Sequence, residues 1–146
     1  MLKKIIKVVG AIIENDNSEI LCALRSKDMS LSGFWEFPGG KIENGESPEK
    51  TITKEIYEKL GCKVEFSSLF SATTYEYDNY ILNLIVAKCK LTHNNPLAKE
   101  HAKLLWLPID YIESLNWAPA DIPTVKKLIL KHKKDCITNS PSKIYN

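Results

Sequence analysis

The chain reads as a single α/β (α+β) domain, a mixed sheet flanked by helices. Three observations predict it. Runs rich in Ile, Val and Leu (KIIKVVGAII, EILCAL, ILNLIVAKCK) recur along the sequence and have the composition of strands. Between them lies one segment with complete helix punctuation, SPEKTITKEIYEKLG. A second amphipathic segment places Val125, Leu128 and Ile129 on one side, at the spacing of a helix face. With 146 residues, 44% of them hydrophobic, one domain with a proper core is expected. Residues 1–132 should form it. Residues 133–146, basic and then rich in Ser, Asn and Pro, are expected to be a flexible tail.

Taken in order, residues 4–13 form the first strand. Asn15-Asp16-Asn17-Ser18 is a turn, and residues 19–24 return as the second arm of a hairpin. Arg25 ends that arm; on composition alone it is a surface charge. Residues 27–33 make a polar loop of the kind that borders a site. In Phe34-Trp35-Glu36-Phe37, alternation sends Trp35 and Phe37 to the same side, one to pack and the other to face a ligand. Gly39-Gly40 reads as a turn whose bare backbone lets a ligand come close. Lys41 beside it is either a solvated lysine or a phosphate contact.

Glu43 and Glu46 follow in a polar loop closed by Gly45. Ser47 is the N-cap and Pro48 the first helical residue, where its missing N–H costs nothing. Ile52, Ile56 and Leu60 form a stripe that should face the sheet, while Glu55 and Glu58 share another face. Gly61 ends the helix. Residues 63–70, 72–77 and 80–91 read as three strands, with Asp78-Asn79 as a hairpin turn. Tyr75 and Tyr77 read as ordinary strand residues, with pocket walls as the alternative. A polar loop over 92–99 precedes a short strand at 102–107 and a helical turn at 108–114. His101 reads as a loop histidine without a metal-ligand spacing. Asp121 reads as the cap of the last helix.

Charge and cysteine usage narrow the classes. Twenty basic against eighteen acidic residues give a net charge of +2, which is no footprint for nucleic acid or an anionic membrane. Cys22, Cys62, Cys89 and Cys136 are scattered, with no CxxC pair. Neither a zinc site nor a disulfide framework is expected, and a reducing cytoplasm fits. The N-terminal MLKKIIKVVGAII is interrupted by Lys7 and lacks a small-residue cleavage site. No stretch approaches the roughly 20 apolar residues of a membrane span. A monomer or homodimer is expected.

The spacing of the glutamates points toward a hard cation. Magnesium takes oxygen ligands, keeps waters, and is held by one or two carboxylates plus substrate phosphates. Glu55 and Glu58 on one helix face, near a carbonyl in a glycine turn, would suit it. The competing reading is a solvated helix face.

The stretch from Gly40 to Cys62 resembles the Nudix box, G-x5-E-x7-R-E-U-x-E-E-x-G-U with U aliphatic. Gly40, Glu46, Glu55, Ile56, Glu58 and Gly61 fall on it, and Cys62 stands at the last aliphatic position. The preceding WEFPG resembles the MutT branch and its CTP pyrophosphohydrolases, and the similarity runs over residues 3–130. Two positions depart. Lys54 replaces the arginine, trading a planar fork for a point charge. Lys59 replaces the second glutamate of the E-E pair, which is commonly a metal ligand in the family, and puts a multi-metal site in doubt.

The resemblance implies a Nudix α/β/α sandwich around a mixed sheet. It implies a metal set of the Gly39 carbonyl, Glu55, Glu58 and Glu100 holding Mg2+, with Mn2+ as the substitute. Glu55, Glu58 and Glu100 would be the catalytic residues, with Glu55 or Glu100 taking the water's proton. Arg25 and Lys41 would hold phosphate; Asp121, with Trp35 or Phe37, would hold the base. The implied reaction is hydrolysis of a nucleoside or deoxynucleoside triphosphate to monophosphate and pyrophosphate, cytidine and oxidised guanine nucleotides being the candidate substrates. The alternative, motivated by Lys59, is a nucleotide-binding module weakened in catalysis.

Overall fold

Alternation along the first strand sets the architecture. The computed structural model describes residues 2–139. In β1 (Lys4–Glu14), Val9, Ala11 and Ile13 point into one apolar layer while Val8 and Ile12 point into another. A strand with both faces covered in this way must lie inside a sandwich. Strands β2 (Glu19–Leu24), β3 (Trp35–Glu36), β4 (Gly39–Lys41), β5 (Lys63–Glu76), β6 (Tyr80–His93) and β7 (Lys103–Pro108) complete a seven-stranded sheet. Its main path runs β3-β2-β1-β6-β5, with β4 paired to β1 and β7 to β2. The β1–β6 pair is parallel and the remaining pairs antiparallel, so the sheet is mixed as expected.

Helix α1 (Pro48–Leu60) covers one face. Its start and stop are those the sequence specifies. Ser47 accepts a hydrogen bond from the Lys50 N–H at 3.2 Å, and Gly61 turns left-handed at φ 68° while its N–H bonds Tyr57 O. Ile52, Ile56 and Leu60 have no exposed surface and pack on Val9, Ala11, Ile13 and Leu21. Each such side chain contributes about 1.5–3 kcal/mol by leaving water. Helix α2 (Ile122–Asn139) covers the other face through Val125, Leu128 and Ile129, against Ile12, Ile20, Phe70 and Val86. Among the described residues no helix is long and apolar enough to cross a membrane.

Three boundaries differ from the sequence expectation. The pair of strands at 63–70 and 72–77 is one strand, β5, whose pairing with β6 slips at Phe66/Ser68 and again at Leu69/Ser71. Bulges absorb the mismatch without ending the strand. Gly39-Gly40 belongs to strand β4, in register with Gly10 and Val9, and is not a turn. Helix α2 continues to Asn139, past residue 132 where the tail was expected to begin. Lysines are good helix formers, so a basic run ends a helix less readily than its polarity suggests. Residues 140–146 of the expected tail lie outside the described residues.

Candidate active site

The glycine pair exists for the protein's own contacts. A Cβ on Gly39 would fall 1.8 Å from Val9 O, inside the backbone of β1. A Cβ on Gly40 would fall 2.4 Å from the carboxyl carbon of Glu55. The missing side chain at Gly40 is thus what lets the Glu55 carboxylate rest over β4. Beside it, Lys59 Nζ donates to Gly39 O at 2.7 Å and lies 3.7 Å from Glu55 Oε2. Of the four oxygens expected around a metal, one therefore already accepts from an ammonium and a second faces it.

Glu58 and Glu100 are both exposed. Among the described residues no three His, Cys, Asp or Glu side chains stand together as an ion's ligands. Glu46, the other acidic residue of the box, pairs with Lys54 at 2.8 Å and accepts from the Glu43 N–H and Thr51 Oγ1. The Lys54 bond is the main reason its carboxyl is held below the usual range. Lys54, standing where the box has arginine, fastens the loop before α1.

Next to the box lies a cavity of about 400 Å³. Its wall includes Gly39, Gly40, Lys41 and Lys59 from the box region, and Phe37, Tyr77, Tyr80, Leu82 and Asp121 from the sheet and the segment before α2. Phe37 stands on this wall, its ring 4.7 Å from Trp117. Trp35 packs half-buried against the apolar cluster beneath α2, of which Phe37, 4% exposed, is itself a member; Trp35 is not on the cavity wall. Tyr77 also reaches the wall, stacked 5.1 Å from Tyr80, and its hydroxyl accepts from the Ala120 N–H. Tyr75 is not part of that wall.

Asp121 lies in a short 3-10 turn, Pro119–Asp121, and is 6% exposed. Its carboxylate reaches across to accept from the Phe37 N–H at 3.4 Å, where sequence alone favoured a helix cap. Burial, and then the neighbouring Glu36 charge, raise its acid well above the usual 3.8. Burial thus disfavours the charged form of this side chain.

Arg25 turns inward. Its Nη1 donates to Glu36 Oε1 at 2.6 Å, its Nε to Ser30 O, and its Nη2 to Ser30 Oγ at 3.1 Å. The other Glu36 oxygen is 2.8 Å from His101 Nε2. Burial alone would raise the Glu36 acid, but the His101 and Arg25 contacts together outweigh it and hold it low. His101 is buried, and its Nδ1 has no partner among the described residues. Sequence reasoning gave Glu36 no role and read His101 as a loop histidine. A signal was present: a carboxylate flanked by Trp35 and Phe37 in a dense aromatic run is headed for burial, and a buried carboxylate needs partners. Since His101 is anchored on Glu36, its neighbour Glu100 is carried on a segment tied to the cavity's edge.

A family model for the NUDIX domain matches residues 8–127. The chain belongs to the Nudix hydrolase family. The 8-oxo-dGTP diphosphatase of Escherichia coli K12 is 33% identical over 127 residues, covering 87% of this chain and 98% of its own. The CTP pyrophosphohydrolase of the same organism is 34% identical over 123 residues, covering 84% and 90%. The solution structure of DNA mismatch repair protein MutT, a Nudix family hydrolase from methicillin-resistant Staphylococcus aureus 252, is 45% identical. It covers 89% of this chain and 99% of that one, with a TM-score of 0.73. The α/β/α sandwich is therefore the Nudix fold, and α1 with β4 is its box.

Proposed function

We propose that this Nudix hydrolase cleaves a nucleoside or deoxynucleoside triphosphate to the monophosphate and pyrophosphate. The observation that carries the reading is the cavity itself, which joins Asp121 and the aromatic wall to the lysines and glycines of the box. Its contents match the parts of a nucleotide. Phe37 and Tyr77 offer faces for a base, and Lys41 and Lys59 offer charge for phosphates. In its protonated form, the one burial favours, Asp121 would fit a base edge that sets an acceptor beside a donor. Cytosine does so with N3 and its amine, and guanine with O6 and N1–H, so both substrates named among the relatives suit it.

The carboxylates suit one magnesium ion, or manganese in its place, better than a cluster. Glu55 rests over Gly40, and Glu58 follows on the same helix, so the two would share an ion with the triphosphate, in keeping with magnesium's habit. The Gly39 carbonyl is engaged by Lys59, and Glu100 joins only from its exposed segment. Bound there, the ion supplies charge neutralisation and a more acidic water. The chain's own work is positioning, which dominates phosphoryl chemistry. Asp121 and Phe37 fix the base. Lys41 and Lys59 draw the phosphates toward α1. Glu55 accepts the attacking water's proton on a carboxylate oxygen, with Glu100 as the alternative acceptor.

The hydrolase names of the relatives favour turnover over the binding-only reading that Lys59 suggests. The test is pyrophosphate release from a panel of triphosphates with magnesium, beside Glu58→Gln. Wild type should exceed the variant by at least about 100-fold on one nucleotide, the usual scale for losing an essential acid–base or charge-stabilising group. Equal rates on every nucleotide would leave binding without turnover.

A further inference from the structure

We infer that the Lys59 ammonium is a built-in cation of this site: it takes the place of one divalent ion and binds the substrate's phosphates directly. The argument begins with what Lys59 touches. Its Nζ donates to Gly39 O at 2.7 Å and faces Glu55 Oε2 at 3.7 Å. Those are two oxygens that a metal would otherwise use. An ammonium has three N–H donors. One is used on Gly39, and no other hydrogen bond is made by Nζ among the described residues. Unspent donors therefore remain on a nitrogen whose side chain lines the cavity.

The other cations of the wall are placed differently. Arg25 is consumed by Glu36 and Ser30, so its charge is balanced and its fork held. Lys41 is exposed and has no ion-pair partner among the described residues. Lys59 alone among the three is held by the box and still has donors to give. A carbonyl and a carboxylate fix it from one side, as a metal would be fixed, and leave the other side for an anion. A divalent ion bound at the same two oxygens would have to sit against this ammonium, and like charges in close contact repel. The substitution of lysine for an acidic box residue thus removes a negative charge and adds a positive one at the same point. Fewer metal charges are then needed to balance a triphosphate.

This inference rests on the proposed function for the identity of the anion as a triphosphate, but its test needs no turnover. The intact protein is titrated with Mn2+, free ion being followed by its electron paramagnetic resonance signal, for wild type, Lys59→Gln and Lys59→Glu. Separately, binding of inorganic tripolyphosphate is measured by calorimetry in the presence of a chelator, adding Lys59→Arg. Wild type should bind one Mn2+ fewer than Lys59→Glu. Wild type and Lys59→Arg should bind metal-free tripolyphosphate at least tenfold more tightly than Lys59→Gln. Equal Mn2+ stoichiometry in wild type and Lys59→Glu overturns the inference, and so does equal tripolyphosphate affinity in wild type and Lys59→Gln. Far-ultraviolet circular dichroism confirms that each variant compared is folded. A protein that binds tripolyphosphate through Lys59 yet hydrolyses no nucleotide would sink the proposed reaction and leave this inference standing.

Discussion

Replacing Glu36 by alanine takes the carboxylate from Arg25 and His101 at once. The Arg25 and Glu36 side chains are 18% and 17% exposed, and His101 is 1% exposed, so the network is largely shielded from water. Removing one member of a buried pair costs about 3–5 kcal/mol, because the partner's charge stays desolvated and unpaired. Against a total of about 5–15 kcal/mol for a domain, that is a large share. At roughly 2–4 °C per kcal/mol for a chain of this size, the melting temperature should drop by about 6–20 °C. Urea unfolding at pH 7 followed by tryptophan fluorescence measures the same loss. Glu36→Gln should lose less, since the amide keeps the shape and one acceptor. The acid leg adds a sign. The Glu36 pKa is lowered from 4.5 in the folded protein, so its contribution is present above 4.5 and lost as pH falls through the folded value. Wild type should therefore destabilise more steeply than Glu36→Gln below pH 4.5. A loss under about 1 kcal/mol in Glu36→Ala, or parallel acid profiles, would refute the reasoning, since even one stranded buried partner costs more than that.

Other positions give contrasting outcomes. Gly39→Ala puts a methyl into the β1 backbone and should cost more than about 3 kcal/mol, the upper range of overpacking. Gly40→Ala meets the flexible end of the Glu55 side chain first; it should keep most of its stability in a thermal melt but lose at least about tenfold in kcat by displacing the proposed proton acceptor. Asp121 has a raised folded pKa, so its ionisation opposes folding as pH rises from 3.8 toward that value. Asp121→Asn should gain on wild type as pH is raised from 3.8 toward the raised folded value, by up to about 1.4 kcal/mol per pH unit within that window, and should change the ranking of bases in the triphosphate panel. Ile56→Ala, at a fully buried position of α1, should cost about 2–5 kcal/mol in urea unfolding.

What could be read from the sequence was local. Ser47, Pro48 and Gly61 specify the ends of α1 by short-range hydrogen bonding and backbone freedom, and the Ile52–Ile56–Leu60 stripe specifies its buried face. Alternation in β1 likewise announces a strand, though not that β6 lies parallel beside it. For the candidate site, the sequence supplies residues to propose but not their arrangement. Gly39 and Gly40 look like a turn because glycine pairs usually are one; only the register of β4 on β1 reveals that Val9 O and Glu55 demand them. Arg25 looks like a free charge because its partner Glu36 sits across a strand pair. His101 is 65 residues from the carboxylate it binds, a separation that no local pattern reports. Lys59 was recognisable as a departure, but which oxygens its ammonium would choose depends on how α1 lies over β4.

The central claim is hydrolysis of a nucleotide at the bond next to the nucleoside phosphate. Phosphorus nuclear magnetic resonance on CTP and 8-oxo-dGTP with the protein and magnesium tests it most directly. Signals of the monophosphate and of pyrophosphate should grow in equal amounts, and should grow far more slowly with Glu55→Gln. Orthophosphate appearing in place of pyrophosphate, or spectra that stay unchanged with both nucleotides, would contradict the account.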